Sequence, residues 1–228
     1  MKPILFNTEM VRAILDGRKS CTRRLLKIPR YVELEEDGTY TLYADGTAYA
    51  KQSMEEITDY LKSPYQVGDI LYVRETWKCW RAHRFEANAD ISYRAGGQDT
   101  RLEFAYGNTD STNRDGFDSF VSKWFNGEKW HPSIHMPKEA SRIFLKVNDV
   151  RVERLQDITE EQAEKEGASP MTTPNIQGVG RTYIQGFGEL WNSTVDKNKM
   201  QQYGWNANPY VWVIEFERCE KPEVTHEN

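Results

Sequence analysis

Apolar positions recur along this chain at two spacings, one helical and one of strands. Val11, Ile14 and Leu15 form a helical stripe behind Asn7 and Thr8. Either polar residue can cap a helix running to Asp16, and Gly17 suits the position that closes it. Residues 31–50, YVELEEDGTYTLYADGTAYA, set Asp37-Gly38 and Asp45-Gly46 between runs rich in Tyr, Val and Thr. That pattern predicts a three-stranded meander with type I′ turns, an excursion on the main fold. In VGDILYVRETW a Gly68-Asp69 turn precedes a core strand over residues 70–76 that delivers Arg74, Glu75 and Trp77. Residues 95–118 are polar and Gly-rich and read as a long loop or insertion.

Alternation returns in RIFLKVNDVRVERL, where Ile143, Leu145 and Val147 face one way and Val150 and Val152 resume after Asn-Asp. DITEEQAEKEGA then carries the strongest helix start. Thr159 and Gln162 have capping-box spacing, Ile158 can staple onto Ala163, and Glu160 and Glu161 suit the positive helix end. Gly167 stops that helix and leaves Glu166 in its last turn, where a carboxylate opposes the dipole unless a cation meets it. A second helix over residues 183–193 gathers Tyr183, Phe187, Leu190 and Trp191 on one face. The closing strand PYVWVIEFER alternates Tyr210, Trp212, Ile214 and Phe216 against Val211 and Val213. Short strands dominate and no βαβ unit repeats. The expected fold is α+β, a small, mostly antiparallel β-barrel with flanking helices.

With 228 residues the chain can bury a substantial core. No apolar run approaches the roughly 20 residues that span a bilayer, and MKPILFNTEM makes a poor secretory signal, so a cytoplasmic protein without membrane contact is expected. Cys21, Cys79 and Cys219 are odd in number and far apart, which argues against a disulfide framework and a cysteine zinc site. A formal net charge of −5 disfavours broad, sequence-blind binding to nucleic acid but leaves room for one local patch.

Such a patch exists. GRKSCTRR, residues 17–24, holds Arg18, Lys19, Arg23 and Arg24, and no carboxylate falls between residues 17 and 32. It is either a solvated basic loop or a seat for an anion or nucleotide. Lys19 can serve as a base, and Ser20 or Thr22 as a nucleophile, if the neighbouring cations lower the lysine pKa. Glu166 is a candidate partner for that lysine. In RETWKCW, Trp77 and Trp80 can line a base pocket with Arg74 and Glu75 at its edge, or they can be sheet packing. His131 and His135 have a metal-like spacing, but Pro132 disfavours one helix through both and no third ligand is evident, so no metal and no cofactor are expected.

Taken together, ILDGRKSCTRR, VGDILYVRETW, HMPKEASRIFLKVNDVRVERLQDITEEQAEKEG and the tail LWNS…WNANPYVWVIEFERC resemble the ASCH-domain family of the PUA-like superfamily, in particular its larger phage- or prophage-type members. The resemblance covers roughly residues 3–30, 65–80, 130–168 and 187–219. It implies one PUA-like barrel domain over residues 1–228 with insertions at about 31–60 and 81–129, and RNA or a modified nucleoside as partner. One branch of the family removes the acetyl group from acetylcytidine. Its motifs fall on Lys19 as base, Thr22 as nucleophile and Glu166 as the group that orients the lysine, with the closing motif arginine on Arg24. Ser20 and Arg23 depart from that motif. Arg18, Ser20, Arg23, Arg24, Arg74, Glu75, Trp77 and Trp80 are then the expected nucleotide-binding residues. The alternative classes are a non-catalytic reader of RNA or modified bases and a metal-independent ribonuclease.

Overall fold

The computed structural model describes residues 1–27, 32–35, 38–44, 47–48, 53–58, 61–104, 112–170 and 182–222. In chain order its first half contains β1 (Lys2–Leu5), α1 (Thr8–Leu15), β2 (Cys21–Leu25), β3 (Val32–Leu34), β4 (Tyr40–Ala44), β5 (Thr47–Ala48), α2 (Met54–Thr58), β6 (Ile70–Arg74), β7 (Trp77–His83), β8 (Asn88–Tyr93) and β9 (Thr100–Glu103). There follow α3 (Thr112–Trp124), β10 (Phe144–Arg154), α4 (Glu160–Lys165), α5 (Tyr183–Thr194), α6 (Met200–Tyr203) and β11 (Tyr210–Cys219). The protein is a mixed α+β chain with several antiparallel sheets. It divides into two compact units, the first made of Met1–Gly17, Asp69–Lys146 and Glu217–Asn228, the second of Arg18–Gly68 and Val147–Phe216.

In the first unit β1 pairs parallel with β6, whose opposite edge takes Phe144, Leu145 and Lys146 of β10 antiparallel. The first helix forms as its pattern predicts. Asn7 accepts from the Met10 N–H, Val11 and Ile14 are wholly buried, and Gly17 closes the turn at φ +74°. The expected strand over residues 70–76 runs as Ile70–Arg74.

Residues 95–118 are not a simple loop. Residues 100–103 are β9, which pairs with β8, itself paired with β7, and α3 begins at Thr112, while residues 105–111 lie outside the described part. The sheet encloses Trp77, Cys79, Ala89, Ile91 and Leu102. Phe117, Phe120, Val121 and Trp124 follow helical spacing along α3; Phe117 and Val121 are buried and the other two pack against this unit's clusters. Those aromatics outweigh the polar Asn-Arg-Asp-Gly punctuation, because one apolar stripe buried on a sheet stabilises a helix more than propensity opposes it.

In the second unit β11 pairs antiparallel with β2, in the register Trp212 to Arg24, Val213 to Arg23 and Ile214 to Thr22. Val211–Ile214 is buried on both faces. The meander is present as β3, β4 and β5, paired antiparallel, while Asp37 and Asp45-Gly46 of its turns lie outside the described residues. Helix α4 carries the complete capping box between Thr159 and Gln162, and Gly167 ends it at φ +78°. Ile158 and Ala163 join Cys21, Leu155, Phe187, Trp191, Val211 and Val213 in this unit's core, beneath α4 and α5. Among the described residues no helix is long and apolar enough to cross a membrane.

Candidate functional site

Side chains alternate along a strand. On β2 this sends Cys21 and Arg23 to the face that α4 and α5 cover and Thr22 to the opposite face. The covered face also receives Lys19, from the residues just before the strand, and Glu166, from the end of α4.

Lys19 Nζ donates to the Glu166 carboxylate at 2.8 Å, to the Glu166 backbone carbonyl at 2.7 Å and to the Cys21 carbonyl at 2.7 Å. Its three N–H groups thus have three acceptors. The backbones join the same way, through a bridge between Lys19 and Glu166 and a 2.9 Å bond from the Ser20 N–H to the Lys165 carbonyl. The ammonium therefore neutralises both the exposed carbonyl end of α4 and the carboxylate that opposes its dipole.

Arg23 extends the cluster. One guanidinium nitrogen reaches Glu166 at 3.3 Å, and another reaches Glu153 at 2.9 Å and Gln162 at 3.0 Å. Gln162 has a double duty, since the same oxygen accepts from the Thr159 N–H in the capping box. Glu153 is held from its other oxygen by Arg151 at 2.6 Å, which also bonds Asp149 and Glu215. The outcome is an alternating chain of charges, Lys19–Glu166–Arg23–Glu153–Arg151. Its inner members are almost dry, with side-chain exposures of 0% for Lys19, 3% for Glu166 and 0% for Arg23. Cys21 sits inside it, 3.9 Å from Glu166. Burial, then the Glu166 charge, pushes its thiol up to about 12, although Arg23 and Lys19 pull the other way.

Lys19, Arg23 and Glu166 therefore come together as one cluster. Thr22 is buried on the other face of β2, opposite Ile214. Ser20 is half-buried and tied by its backbone to Lys165 and Phe216. Arg18 is exposed. Arg24 is half-buried, and burial lowers its pKa below the ordinary arginine value. Beside this network Arg23 and Arg24 line a recess of about 320 Å³ with residues of α5 and α6.

The remaining candidates belong to the first unit. Trp77 is 0% exposed, its ring enclosed by Trp124, His131 and Phe120 at 5.1–6.2 Å, which leaves no face for a base. The sheet-packing reading of Trp77 is the correct one. Trp80 falls at the register shift between Cys79 and Arg81 and is 38% exposed, so it keeps an accessible face. Glu75 is buried in a two-pronged ion pair with Arg142, at 2.9 and 3.1 Å, and Arg74 donates to the Ile134 carbonyl. That pairing engages both carboxylate oxygens of a side chain that is only 1% exposed, which puts it out of reach of a base edge. His131 is also structural, with its ring nitrogen 3.0 Å from the Trp124 carbonyl. Among the described residues no group of three or more His, Cys, Asp or Glu side chains could hold a metal ion.

Sequence reasoning did not find Glu153 or Arg151, and it found Gln162 only as a capping residue and not as a partner of Arg23. The first two were legible in part, because RVER puts both on one face of a strand that otherwise reads as apolar. Nothing local reveals that this face meets Arg23.

The chain matches no family model, no curated protein and no solved structure.

Proposed function

We propose that the second unit binds a nucleotide or a short single strand of nucleic acid, in the manner of the ASCH domains that its motifs resemble, on a PUA-like barrel. The observation that carries this reading is the 2.8 Å contact between Lys19 and Glu166. Two of the motifs that carry the resemblance hold Lys19 and Glu166, 147 positions apart, and these two residues are in direct contact.

Binding is favoured over chemistry by the burial of that pair. A lysine with no exposed side-chain surface, engaged by three acceptors, meets no substrate atom. Its role in this reading is to pin residues 17–24, so that the neighbouring cations Arg24 and Lys27 are held at the rim of the recess. Amide hydrolysis on an acylated base is the second reading. It draws on the same contact, with Glu166 orienting Lys19 and Thr22 as nucleophile.

One experiment separates the two. The protein is titrated with short single-stranded RNAs, cytidine and acetylcytidine at low and moderate salt, and the recovered ligands are analysed. Salt-sensitive binding of ligands recovered unchanged is expected. Release of cytidine from acetylcytidine, lost in Lys19→Ala, would replace this reading with the hydrolytic one. Absence of binding by every ligand at low salt would overturn both.

A further inference from the structure

The recess beside the charged network is lined by Arg23, Arg24, Lys27 and Lys199, with a single acid, Asp196. Arg23 is already paired with Glu166 and Glu153, so among the described lining residues the local excess is three cations, Arg24, Lys27 and Lys199, to one carboxylate, in a chain whose formal net charge is −5. Two aromatic side chains, Trp191 and Tyr203, complete the wall. The Trp191 ring is held in place, because its indole N–H donates to the Tyr203 backbone carbonyl at 2.8 Å.

Arg23 belongs to the wall but not to its contact surface. Its side chain is 0% exposed and its terminal nitrogens are engaged by Glu166, Glu153 and Gln162, so contact with a ligand falls to the lining residues that reach solvent.

Size sets the ligand class. Small-molecule sites run from about 300 to 1,000 Å³. At about 320 Å³ this recess is of a size for one nucleotide. Lys27 and Lys199 are exposed and Arg24 is half-buried, so all three reach solvent where a phosphate enters. Asp196 offers a carboxylate to the exocyclic amine of a base, as carboxylates do with cytosine.

We propose that this recess binds a nucleoside 5′-monophosphate, with Arg24, Lys27 and Lys199 around the phosphate and the base against Tyr203 beside Asp196. The proposal rests on the nucleotide-binding reading of the second unit and names its ligand and its residues. None of Lys27, Trp191, Asp196, Lys199 and Tyr203 was singled out from the sequence as a binding residue.

Calorimetric titration of the whole chain with cytidine 5′-monophosphate, cytidine, inorganic phosphate and an unphosphorylated single-stranded RNA octamer tests it. The monophosphate is expected to bind at least tenfold more tightly than cytidine or phosphate alone. Lys27→Ala/Lys199→Ala should weaken the monophosphate at least tenfold and leave the melting temperature unchanged, since both side chains are exposed. Tyr203→Leu should weaken cytidine and the monophosphate together. Octamer binding without monophosphate binding would overturn the recess assignment and leave the nucleic-acid reading standing. Monophosphate binding that the double variant does not alter would move the site elsewhere and overturn the assignment too. Failure of all four ligands would sink both.

Discussion

The Lys19 ammonium and the Glu166 carboxylate lie 2.8 Å apart, with 0% and 3% of their side chains exposed. Desolvation of two charges offsets most of the Coulombic gain of such a pair, so the pair as a whole adds little to stability. Loss of one partner is a different matter. Glu166 also serves Arg23, and Arg23 serves Glu153, so deleting the carboxylate leaves the buried Lys19 without a counter-ion and Arg23 with Glu153 alone.

Glu166→Ala is therefore expected to destabilise the protein by about 3–5 kcal/mol, the range for breaking a buried ion pair. Lys19→Met/Glu166→Ala should lose less than the sum of the two single changes, because the double variant leaves no lysine charge uncompensated. Urea unfolding of the four proteins gives the cycle, and additive losses would show that the two residues are not coupled.

A second expectation concerns the thiols. Cys21 and Cys79 are 2% and 1% exposed, and burial pushes them up to about 12 and about 11. An acid whose folded pKa is raised holds its proton in the native state after the unfolded state has lost it. Stability is therefore full below the unfolded value of 9.0 and falls as pH climbs from there toward 11–12. Cys219 is only half-buried. A disulfide-forming thiol reagent at pH 8 should label Cys219 alone in the native protein and all three cysteines in denaturant. Fast labelling of Cys21 in native protein would contradict the buried network.

The parts of this arrangement that were legible in the sequence are the local ones. The capping box of α4, its glycine stop and the cap of α1 each follow from residues within one turn of one another; the first two form as read, and of the two caps open for α1 the structure takes Asn7. The unfavourable position of Glu166 was also legible, together with the need for a cation. What the pattern did not carry was long-range. Arg23 reads as a surface charge in a basic run, and only the pairing of β2 with β11 beneath α4 turns it inward. Trp77 and Glu75 read equally well as pocket or packing. The decision came from His131, Trp124 and Arg142, between 47 and 67 positions further along the chain. The β7–β8–β9 sheet was hidden because its shortest strand, TRLE, has one buried apolar residue, Leu102.

Two glycines should respond in opposite directions to the same change. Gly167 holds φ +78° at the end of α4, a left-handed conformation that costs an L-residue about 1–2 kcal/mol. Gly167→Ala is expected to destabilise by that amount and to disturb the Glu166 carbonyl that Lys19 binds. Gly116 lies inside α3, and a Cβ there meets nothing within 4 Å. Gly116→Ala should stabilise by about 0.5–1 kcal/mol, since glycine in a helix interior carries an entropic penalty. Thermal melts of the two variants beside the parent give both signs.

The ion pair of Glu75 and Arg142 allows a test by rescue. Glu75 is 1% exposed, and burial raises its pKa above the ordinary carboxylate value although Arg142 pulls it down. Arg142→Met removes the lowering influence and leaves a buried carboxylate with no counter-ion, which is expected to cost about 3–5 kcal/mol at pH 7. The native state of that variant then holds a proton on Glu75 that the unfolded state, at about 4.5, has released. Its stability must therefore fall as pH rises above 4.5, and its deficit against the parent, whose Glu75 is held lower by Arg142, must be larger at high pH than at low. Adding Glu75→Gln removes the charge and keeps the shape, so Glu75→Gln/Arg142→Met should recover much of the loss at pH 7 and show little dependence on pH. Melting temperatures at pH 5 and pH 7 for the parent, both single variants and the double variant decide it. A deficit in Arg142→Met that is the same at both pH values, and untouched by Glu75→Gln, would mean that Arg142 acts through its stacking on Tyr93, whose ring centre lies 3.9 Å from the guanidinium carbon, and its 3.3 Å bond to the Gln98 carbonyl, and not through Glu75.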